Sequence, residues 1–322
     1  MLEDRFGRRF QYLRLSITDV CNFRCTYCLP DGYRGDSKRR FLNQQQITTL
    51  AGAFSGLGTQ KIRLTGGEPS LRKDLTEIIA ICAQTRGIDK VALTTNGFKL
   101  PGQVKQWKDA GLSALNVSID SLDPRQFHAI TGHDKLDTVL KGVESALSQG
   151  LKVKINSVLL KGYSQALLKD ALSWLKSTPV TLRLIELMQT GDNRAFFAEN
   201  HLSGQRIKTE LLASGWLPIV RDKTAGPAQE FCHPDYQGNI GLIMPYDKDF
   251  CTSCNRLRVS ATGNLHLCLF AEQGLSLAPW LQDGDIDGLQ THILQLLGQK
   301  SSSHWLQQGL TGATQQLAML GG

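Results

Sequence analysis

Two groups of cysteines are the residues of this sequence best suited to chemistry. Cys21, Cys25 and Cys28 have the spacing C-x3-C-x2-C, and a second set with the spacing C-x2-C-x13-C lies near the C-terminus. The members of the second set are Cys251, Cys254 and Cys268. Iron–sulfur clusters and structural zinc ions are normally held by four protein ligands. Three thiolates can hold three irons of a [4Fe–4S] cluster, which leaves the fourth iron to an outside ligand.

Other arrangements of these cysteines are open at this point. The first set is compatible with a zinc knuckle or with chance clustering. The second set is compatible with a zinc site completed by His266 or His233, or with an inert cluster closed by Cys232 as a fourth thiolate. Cys82 lies in the helical run EIIAICAQT and is interpreted as a buried apolar side chain.

Six short apolar, β-branched runs predict strands in the first 190 residues, with helical periodicity between them. The runs are YLRLSIT, KIRLTGG, KVALTTNG, ALNVSID, KVKINSVLL and TLRLIELM. Strands that alternate with helices favour a parallel sheet, so we expect an α/β fold with a partial (β/α)6 barrel. A doubly wound open sheet is the runner-up.

The alternation of strands and helices fades after about residue 225, and the second cysteine set follows. We therefore predict a barrel over residues 1–225 and a C-terminal cluster-bearing and substrate-binding region over residues 226–322.

The composition of the 322-residue chain limits the classes of protein to which it can belong. It is 41 % hydrophobic and has no run of about 18 uncharged apolar residues, so we expect no membrane span. The N-terminal segment lacks the apolar stretch of a secretory signal, which predicts a cytoplasmic protein. Eight cysteines in that compartment indicate metal or redox chemistry rather than disulfides. The formal net charge of +7 indicates an anionic partner.

Positive charges interrupt four of the predicted strands, where burial makes a charge costly. These residues are Arg14, Lys61, Arg63, Lys154 and Arg183. One explanation is ion pairing with Glu68, Asp120 and Glu186, and the other is a polyanionic ligand at the carboxyl ends of the strands. Cations on four separate strands favour the ligand.

The first cysteine set resembles the signature of the radical S-adenosylmethionine (SAM) superfamily, with Tyr27 directly before its last cysteine. The segment TGGEP at residues 65–69, after the second strand, resembles the second motif of that superfamily. The resemblance implies a [4Fe–4S] cluster on Cys21, Cys25 and Cys28 whose free iron chelates SAM. One electron then cleaves SAM to methionine and a 5′-deoxyadenosyl radical.

Over essentially its whole length the sequence is similar to the GTP 3′,8-cyclase family of molybdenum cofactor biosynthesis. The similarity rests on both cysteine sets and on the segments TTNG, NVSIDSLD, CNRLR and the terminal GG. It implies a second [4Fe–4S] cluster on Cys251, Cys254 and Cys268, whose open iron binds the guanine of GTP. The deoxyadenosyl radical removes the 3′ hydrogen of GTP, the resulting C3′ radical attacks C8, and reduction yields 3′,8-cyclo-7,8-dihydro-GTP.

The same resemblance implies roles for individual residues. Those that match SAM contacts are Tyr27, Gly67, Ser118 and Met188. Those that match GTP contacts are Arg14, Arg63, Thr94, Lys154, Arg256, Leu257 (through its backbone) and Arg258. Those implied to act in catalysis are Arg14, Lys61, Arg183, Gly321 and Gly322. Arg256 and Arg258 alternate with Leu257, so an extended segment projects both arginines to one side.

The resemblance also implies partners. They are the downstream cyclic pyranopterin monophosphate synthase and an electron donor such as flavodoxin or ferredoxin, with a homodimer as one option for the assembly. Nucleic acid and membrane are not expected as partners.

Two rival functions are weighed against this one. A peptide-modifying radical SAM maturase usually has a longer C-terminal series of cysteines. A basic zinc-containing RNA-binding protein would carry Lys and Arg on exposed faces with aromatic residues interleaved, whereas here they lie inside strands.

Overall fold

Strands and helices alternate along the first half of the chain in the computed structural model. The structure describes residues 1–35, 40–162, 164–220 and 225–320. The central strands are β1 (Tyr12–Ser16), β2 (Lys61–Thr65), β3 (Lys90–Thr95), β4 (Ala114–Ser118), β5 (Lys152–Leu159) and β6 (Thr181–Glu186). Each of them begins at the first residue of one of the six predicted runs, so the β-branched pattern located all six strands.

Helices connect these strands and cover the sheet. They are α1 (Gln44–Gly56), α2 (Leu75–Gln84), α3 (Leu100–Asp109), α4 (Pro124–Thr131), α5 (Leu136–Ser148) and α6 (Ser164–Leu175). Asn43 starts α1 with a capping box, since its side chain accepts from the Gln46 amide while the Gln46 side chain accepts from the Asn43 amide. In α5 one face of the helix is apolar, with Leu136, Val139 and Val143 buried.

Two strands from the C-terminal part of the chain extend this sheet. β9 (Asn239–Ile243) pairs in parallel with β6, and β10 (Arg256–Val259) pairs in parallel with β1. The short outer strands are β7 (Leu217–Pro218), β8 (Gln229–Cys232), β11 (Asn264–His266) and β12 (Leu275–Ser276). The division at residues 225/226 stays a prediction, and strands from both sides of it share one sheet.

The order of the sheet decides between the two fold predictions. Across the sheet it runs β12-β11-β10-β1-β2-β3-β4-β5-β6-β9-β8-β7, so the six central strands follow one another in chain order. A doubly wound sheet would reverse its order at a switch point. The runner-up is therefore wrong and the α/β partial barrel is confirmed, with β7 and β12 as edge strands of the described sheet.

The remaining helices lie in the second half of the chain. They are α7 (Arg194–Asn200), α8 (Gln205–Ala213), α9 (Ala278–Asp283) and α10 (Ile286–Leu297), with short 3-10 turns at Pro69–Leu71, Leu306–Gln308 and Leu317–Leu320. None of the helices in the described ranges is long and apolar enough to cross a bilayer.

The core has one large and one small apolar cluster. The large cluster joins the sheet to its helices and includes Cys82, whose side chain is fully buried as predicted. The small cluster contains Leu269, Phe270, Leu306, Leu317 and Leu320. Cys28 and Cys268 pack against the small cluster, so it lies between the two cysteine sets.

Candidate active site

Two adjoining cavities open on the face formed by alternate residues of the central strands. The first cavity is bordered by Cys21, Cys25 and Cys28. The second cavity is bordered by Cys251, Cys254 and Cys268. Asn156 of β5, Ile185 of β6 and Met188 line both cavities. The fold thus brings two cysteine sets from opposite ends of the sequence to one shared space.

The first cysteine loop follows β1 and is fixed by backbone hydrogen bonds. The amides of Arg24 and Thr26 donate to the carbonyls of Thr131 and Ile130 at the end of α4, at 3.1 and 3.0 Å. Phe23 is buried and packs edge-on against two phenylalanine rings, those of Phe98 and Phe127. These contacts hold the loop at the mouth of the barrel.

Gly66 and Gly67 of the TGGEP segment lie directly against this loop. The Gly67 amide donates to the Thr18 carbonyl at 2.9 Å. A Cβ on Gly66 would approach the Thr18 carbonyl oxygen to 2.2 Å, and one on Gly67 would approach the Val20 carbonyl oxygen to 2.3 Å. Glycine is therefore required at both positions, because the segment packs on the backbone that leads into the cysteines.

The three carboxylates considered as ion-pair partners bind neutral donors instead. Glu68 is fully buried and accepts from the Thr95 hydroxyl at 2.6 Å and from backbone amides. Asp120 accepts from the Tyr27 hydroxyl at 2.8 Å, and burial raises the pKa of Asp120 to about 6. Glu186 accepts from the Gly204 amide at 2.7 Å. Their role is to join loops to the sheet.

The residues that match SAM contacts all line the first cavity. They are Tyr27, Gly67, Ser118 and Met188. Thr94, which matches a GTP contact, lines this first cavity as well. The structure thus brings four of the predicted contacts together beside the first cysteine set and adds Thr94 to them.

The second cysteine set lies on the connections around β10. Cys251 and Cys254 lie in the turn before this strand, and Cys268 follows β11. Arg8 donates to the Cys251 carbonyl at 3.2 Å, and the Ser303 hydroxyl lies 3.8 Å from the Cys251 Sγ. Chain segments from both termini therefore support the Cys251 turn.

Five of the predicted cations line the second cavity. They are Arg14, Arg63, Arg183, Arg256 and Arg258. The pairing of strands sets Arg14 beside Arg63 on one side and beside Arg258 on the other. Leu257 is buried in the core beside Leu13 of β1, and its predicted backbone contact with GTP stays a prediction.

The other two predicted cations lie outside this wall. Lys154 forms an ion pair with Glu230 of β8, a partner that the sequence did not indicate. The Lys61 ammonium lies 4.7 Å from the centre of the Tyr12 ring. Tyr12 itself lines the second cavity, so Lys61 stands behind the tyrosine at the cavity wall.

The clustered charges alter the acid–base properties of the second cavity. Burial and then the neighbouring Arg258 lower the pKa of Arg14. Burial and then Arg63 lower the pKa of Arg183 to about 9. Burial alone would raise the pKa of Cys254, but Arg256 and Lys300 outweigh it and lower the pKa to about 7. The cavity is thus strongly electropositive and stabilises a thiolate at Cys254.

The predicted catalytic glycines Gly321 and Gly322 lie outside the described residues. The chain just before them is placed: Leu317 lines the first cavity, and the Leu320 carbonyl accepts from the Arg258 guanidinium at 3.4 Å. Leu317 and Leu320 are both buried. The last described turn therefore runs beside the two cavities.

Comparison with known proteins agrees with this geometry. Residues 15–175 match the Radical SAM superfamily, and residues 180–306 match the family Molybdenum Cofactor Synthesis C. The chain is 56 % identical to the GTP 3′,8-cyclase of Tolumonas auensis over 100 % of this chain and 96 % of that one. It is 55 % identical to the GTP 3′,8-cyclase of Yersinia pestis, covering 100 % and 99 % of the two chains. This chain belongs to the GTP 3′,8-cyclase family.

A solved structure supports the fold alone, at low sequence identity. Streptococcus suis SuiB bound to S-adenosylmethionine superposes with a TM-score of 0.61 at 12 % identity, over 89 % of this chain and 66 % of SuiB.

Two [4Fe–4S] clusters are the cofactors of the GTP 3′,8-cyclase family to which the chain belongs. Three cysteines border each of the two cavities and are the residues that would hold these clusters. Three thiolates leave one iron of a [4Fe–4S] cluster without a protein ligand.

Cys232 does not complete the second set in this arrangement. It lies on β8, where its Sγ is 3.8 Å from the Leu217 carbonyl, and it does not border the second cavity. The alternative of an inert cluster closed by Cys232 therefore gains no support from the described residues.

Several residues of the cavities were not identified from the sequence. Tyr12 and His304 line the second cavity. Asn156 lines both, and its Oδ1 is buried without a hydrogen-bond partner in the described part of the chain. The alternation of β1 and β5 could have indicated Tyr12 and Asn156, which lie two residues from Arg14 and Lys154 on the same strand faces. No local signal marks His304, which reaches the cavity from a distant loop.

His304 has a defined tautomer in this position. Its Nδ1 accepts from the Leu306 amide at 3.0 Å, and its Nε2 lies 2.9 Å from the Pro245 carbonyl and donates to it. Burial lowers the pKa of His304, which keeps the ring neutral. It is a fixed wall of the cavity and adds no charge.

Proposed function

We propose that this chain converts GTP to 3′,8-cyclo-7,8-dihydro-GTP, the first step of molybdenum cofactor biosynthesis. One observation carries the proposal: five arginines line a buried cavity that has three cysteines at its border and adjoins a second three-cysteine cavity. Buried like charges are costly without a counter-charge. A nucleoside triphosphate supplies that charge, and its base would bind the open position of the second cluster.

Each cavity then has its own task. Cys21, Cys25 and Cys28 hold the cluster that binds SAM, and Cys251, Cys254 and Cys268 hold the cluster that binds guanine. When bound, SAM and its reduced cluster supply the 5′-deoxyadenosyl radical that removes the 3′ hydrogen of GTP. The residues matched to SAM line the first cavity, and the arginines hold the triphosphate in the second.

Positioning is the main contribution of the protein to this reaction. Asn156, Ile185 and Met188 line both cavities, so the reacting sugar lies at their side chains. Apolar side chains such as Ile243, Leu267 and Phe270 complete the second cavity and exclude water. Holding C3′ near C8 in this setting makes ring closure a unimolecular step of favourable geometry.

The arginines also distinguish this function from modification of a peptide. Arg63, Arg183 and Arg258 are each buried. Planar guanidinium groups bind phosphate oxygens through paired hydrogen bonds. A neutral peptide backbone offers these guanidinium groups no negative charge, which favours the nucleotide as substrate.

Anaerobic incubation with GTP, SAM and a reductant tests the proposal. We expect 3′,8-cyclo-7,8-dihydro-GTP and 5′-deoxyadenosine in the product mixture by mass analysis, and about eight irons per chain after reconstitution. A fully reconstituted protein that cleaves SAM but leaves GTP unchanged would contradict the proposed substrate.

The proposed reaction requires an electron donor and an enzyme that uses the product. We propose that a flavodoxin or ferredoxin supplies the electron, that a cyclic pyranopterin monophosphate synthase consumes the product, and that the enzyme works in the cytoplasm. A homodimer is one option for the assembly, which light scattering of the reconstituted protein tests.

A further inference from the structure

Tyr12 is the first residue of β1 and lies at the centre of the charged wall. Strand pairing sets it beside Lys61 of β2 and Arg256 of β10. Its side chain is 1 % exposed to solvent and lines the second cavity. Neither the sequence motifs nor the family resemblance gave it a role.

The hydroxyl of Tyr12 lacks a hydrogen bond. In the described part of the chain its Oη is buried and has no partner. Buried tyrosine hydroxyls usually find one, because an unsatisfied polar group is costly. Phenylalanine would fill the same space without this cost, so packing alone does not explain the hydroxyl.

The surroundings of this hydroxyl indicate what its partner must be. The ring lies 4.7 Å from the Lys61 ammonium and 5.4 Å from the Arg63 guanidinium. The Nε atoms of Arg63 and Arg183 are also buried without a partner in the described residues. Three unused donors therefore line one wall of the cavity, and what is missing is an acceptor with negative charge.

We propose that Tyr12 is a substrate-binding residue whose hydroxyl donates a hydrogen bond to a phosphate oxygen of the nucleoside triphosphate. This inference rests on the proposed function and extends it to a residue that the family resemblance did not mark. A phosphate chain carries several acceptor oxygens and a high charge, which together match the three unused donors. The guanine ring, by contrast, is neutral and would not compensate the positive charges around Tyr12.

The acidity of Tyr12 supports the same placement. Burial alone would raise the pKa of Tyr12, but the positive charges of Arg63, Arg14, Lys61 and Arg183 lower it to about 8. A more acidic hydroxyl is a stronger hydrogen-bond donor to an anion.

Calorimetry on the anaerobically reconstituted protein tests the inference with three variants and two ligands. Wild type, Tyr12→Phe and the control Tyr236→Phe are titrated with GTP and with guanosine. Tyr236 packs against Trp216 and does not border either cavity. Iron content and thermal unfolding establish that each variant is folded.

We expect Tyr12→Phe to weaken GTP binding about tenfold to hundredfold, the usual effect of losing a hydrogen bond to a charged group. Guanosine binding should stay within twofold of wild type, and Tyr236→Phe should bind both ligands normally. Equal GTP affinity in wild type and Tyr12→Phe would overturn the inference while leaving the proposed function intact. Equal losses for GTP and guanosine would place Tyr12 at the nucleoside instead and would also overturn it. A wild-type protein that binds neither ligand would remove the proposed function itself, and the inference with it.

Discussion

Arg14 and Arg258 are direct neighbours across the parallel pairing of β1 with β10. Burial and then Arg258 lower the pKa of Arg14, and burial and then Arg256 lower the pKa of Arg258 to about 10. Two guanidinium groups held side by side repel each other. The ligand-free site is therefore unfavourable electrostatically, and an anionic substrate relieves this repulsion.

The variant Arg258→Met should separate binding from stability. It keeps most of the side-chain volume but removes one charge, so we expect GTP affinity to fall about tenfold to hundredfold. The ligand-free protein should unfold at a temperature no lower than wild type, because a buried charge in a cluster of like charges contributes little stability. Calorimetry and thermal unfolding measure the two effects.

The matched control is Arg206→Met, which removes an exposed arginine paired with Glu210 on α8. It should change neither quantity appreciably, since exposed ion pairs contribute about 0–1 kcal/mol. If Arg258→Met bound GTP as tightly as this control, Arg258 would not contact the substrate.

Local patterns in the sequence predicted the strands and the cysteine loops. The six β-branched runs are each contained within a few residues, as are the first cysteine set and the TGGEP segment, so chain spacing was enough to locate them. The cations inside the strands could also be identified from the sequence, because a single arginine in an apolar run is unusual.

Contacts between distant segments could not be predicted in the same way. Lys154 forms an ion pair with Glu230, and Arg8 donates a hydrogen bond to the Cys251 carbonyl. The residues of each pair are far apart in the sequence, and no motif links them. The pairing of β10 with the edge of β1 depends on the path of the whole chain between the two strands. The sequence RLRV of β10 does not by itself indicate this partner. Tyr12 was missed for another reason, since a tyrosine in a strand is ordinary until its hydroxyl is seen to lack a partner.

Substitution of cysteines should separate the two clusters. Ala at Cys21, Cys25 or Cys28 is expected to abolish formation of 5′-deoxyadenosine. Ala at Cys251, Cys254 or Cys268 is expected to leave some SAM cleavage while abolishing the cyclised product. Iron content should fall from about eight to about four in each case, because a cluster with two thiolates is not retained. Equal loss of SAM cleavage from both sets would contradict the division between the cavities.

Arg8 should matter for the second cluster alone. Its guanidinium bonds to Asp4 and donates to the carbonyls of Cys251, Ser301 and Ser302, which ties both ends of the chain to the second cysteine turn. We expect Arg8→Met to lose about half of the bound iron while SAM cleavage persists, because the first loop makes separate contacts with α4.

The neighbouring Arg9 provides the control for this experiment. It is exposed and pairs with Glu3 at the surface, so Arg9→Met should bind iron as wild type does. Equal iron in the Arg8→Met and Arg9→Met proteins would show that the second turn holds its shape without Arg8.

The affinity for GTP should fall as the pH rises through about 8. Burial lowers the pKa of Lys61 to about 8, and the surrounding cations lower that of Tyr12 to about the same value. Below this pH Lys61 is positive and Tyr12 is neutral, whereas above it Lys61 is neutral and Tyr12 is negative. Both changes oppose a triphosphate, and each group contributes at most about a tenfold loss per pH unit.

Calorimetry between pH 7.5 and 8.5 measures this dependence, since the phosphates of GTP are already ionised in that range and Arg183, whose pKa is about 9, remains mostly protonated. Guanosine, which has no phosphate, should show a flatter profile. The double variant Lys61→Arg with Tyr12→Phe removes both titrations and should flatten the profile for GTP as well. An unchanged slope in the double variant would assign the pH dependence to other groups.

The residues that follow Leu320 are expected to act in the second cavity. Leu317 and Leu320 are buried in the small cluster between the cysteine sets, and the Leu320 carbonyl accepts from Arg258. The described chain thus ends beside Arg258, and a glycine, which lacks a Cβ, can enter a space too narrow for other residues. We expect the variant with both Gly321→Ala and Gly322→Ala to retain its fold and its iron and to lose most of its cyclisation activity. Its rate of SAM cleavage should fall less than its rate of cyclisation.

Gly102→Ala is the control, because Gly102 lies in α3 with nothing within 4 Å of an added Cβ. If both variants formed the cyclised product at the wild-type rate, the two terminal glycines would have no part in catalysis.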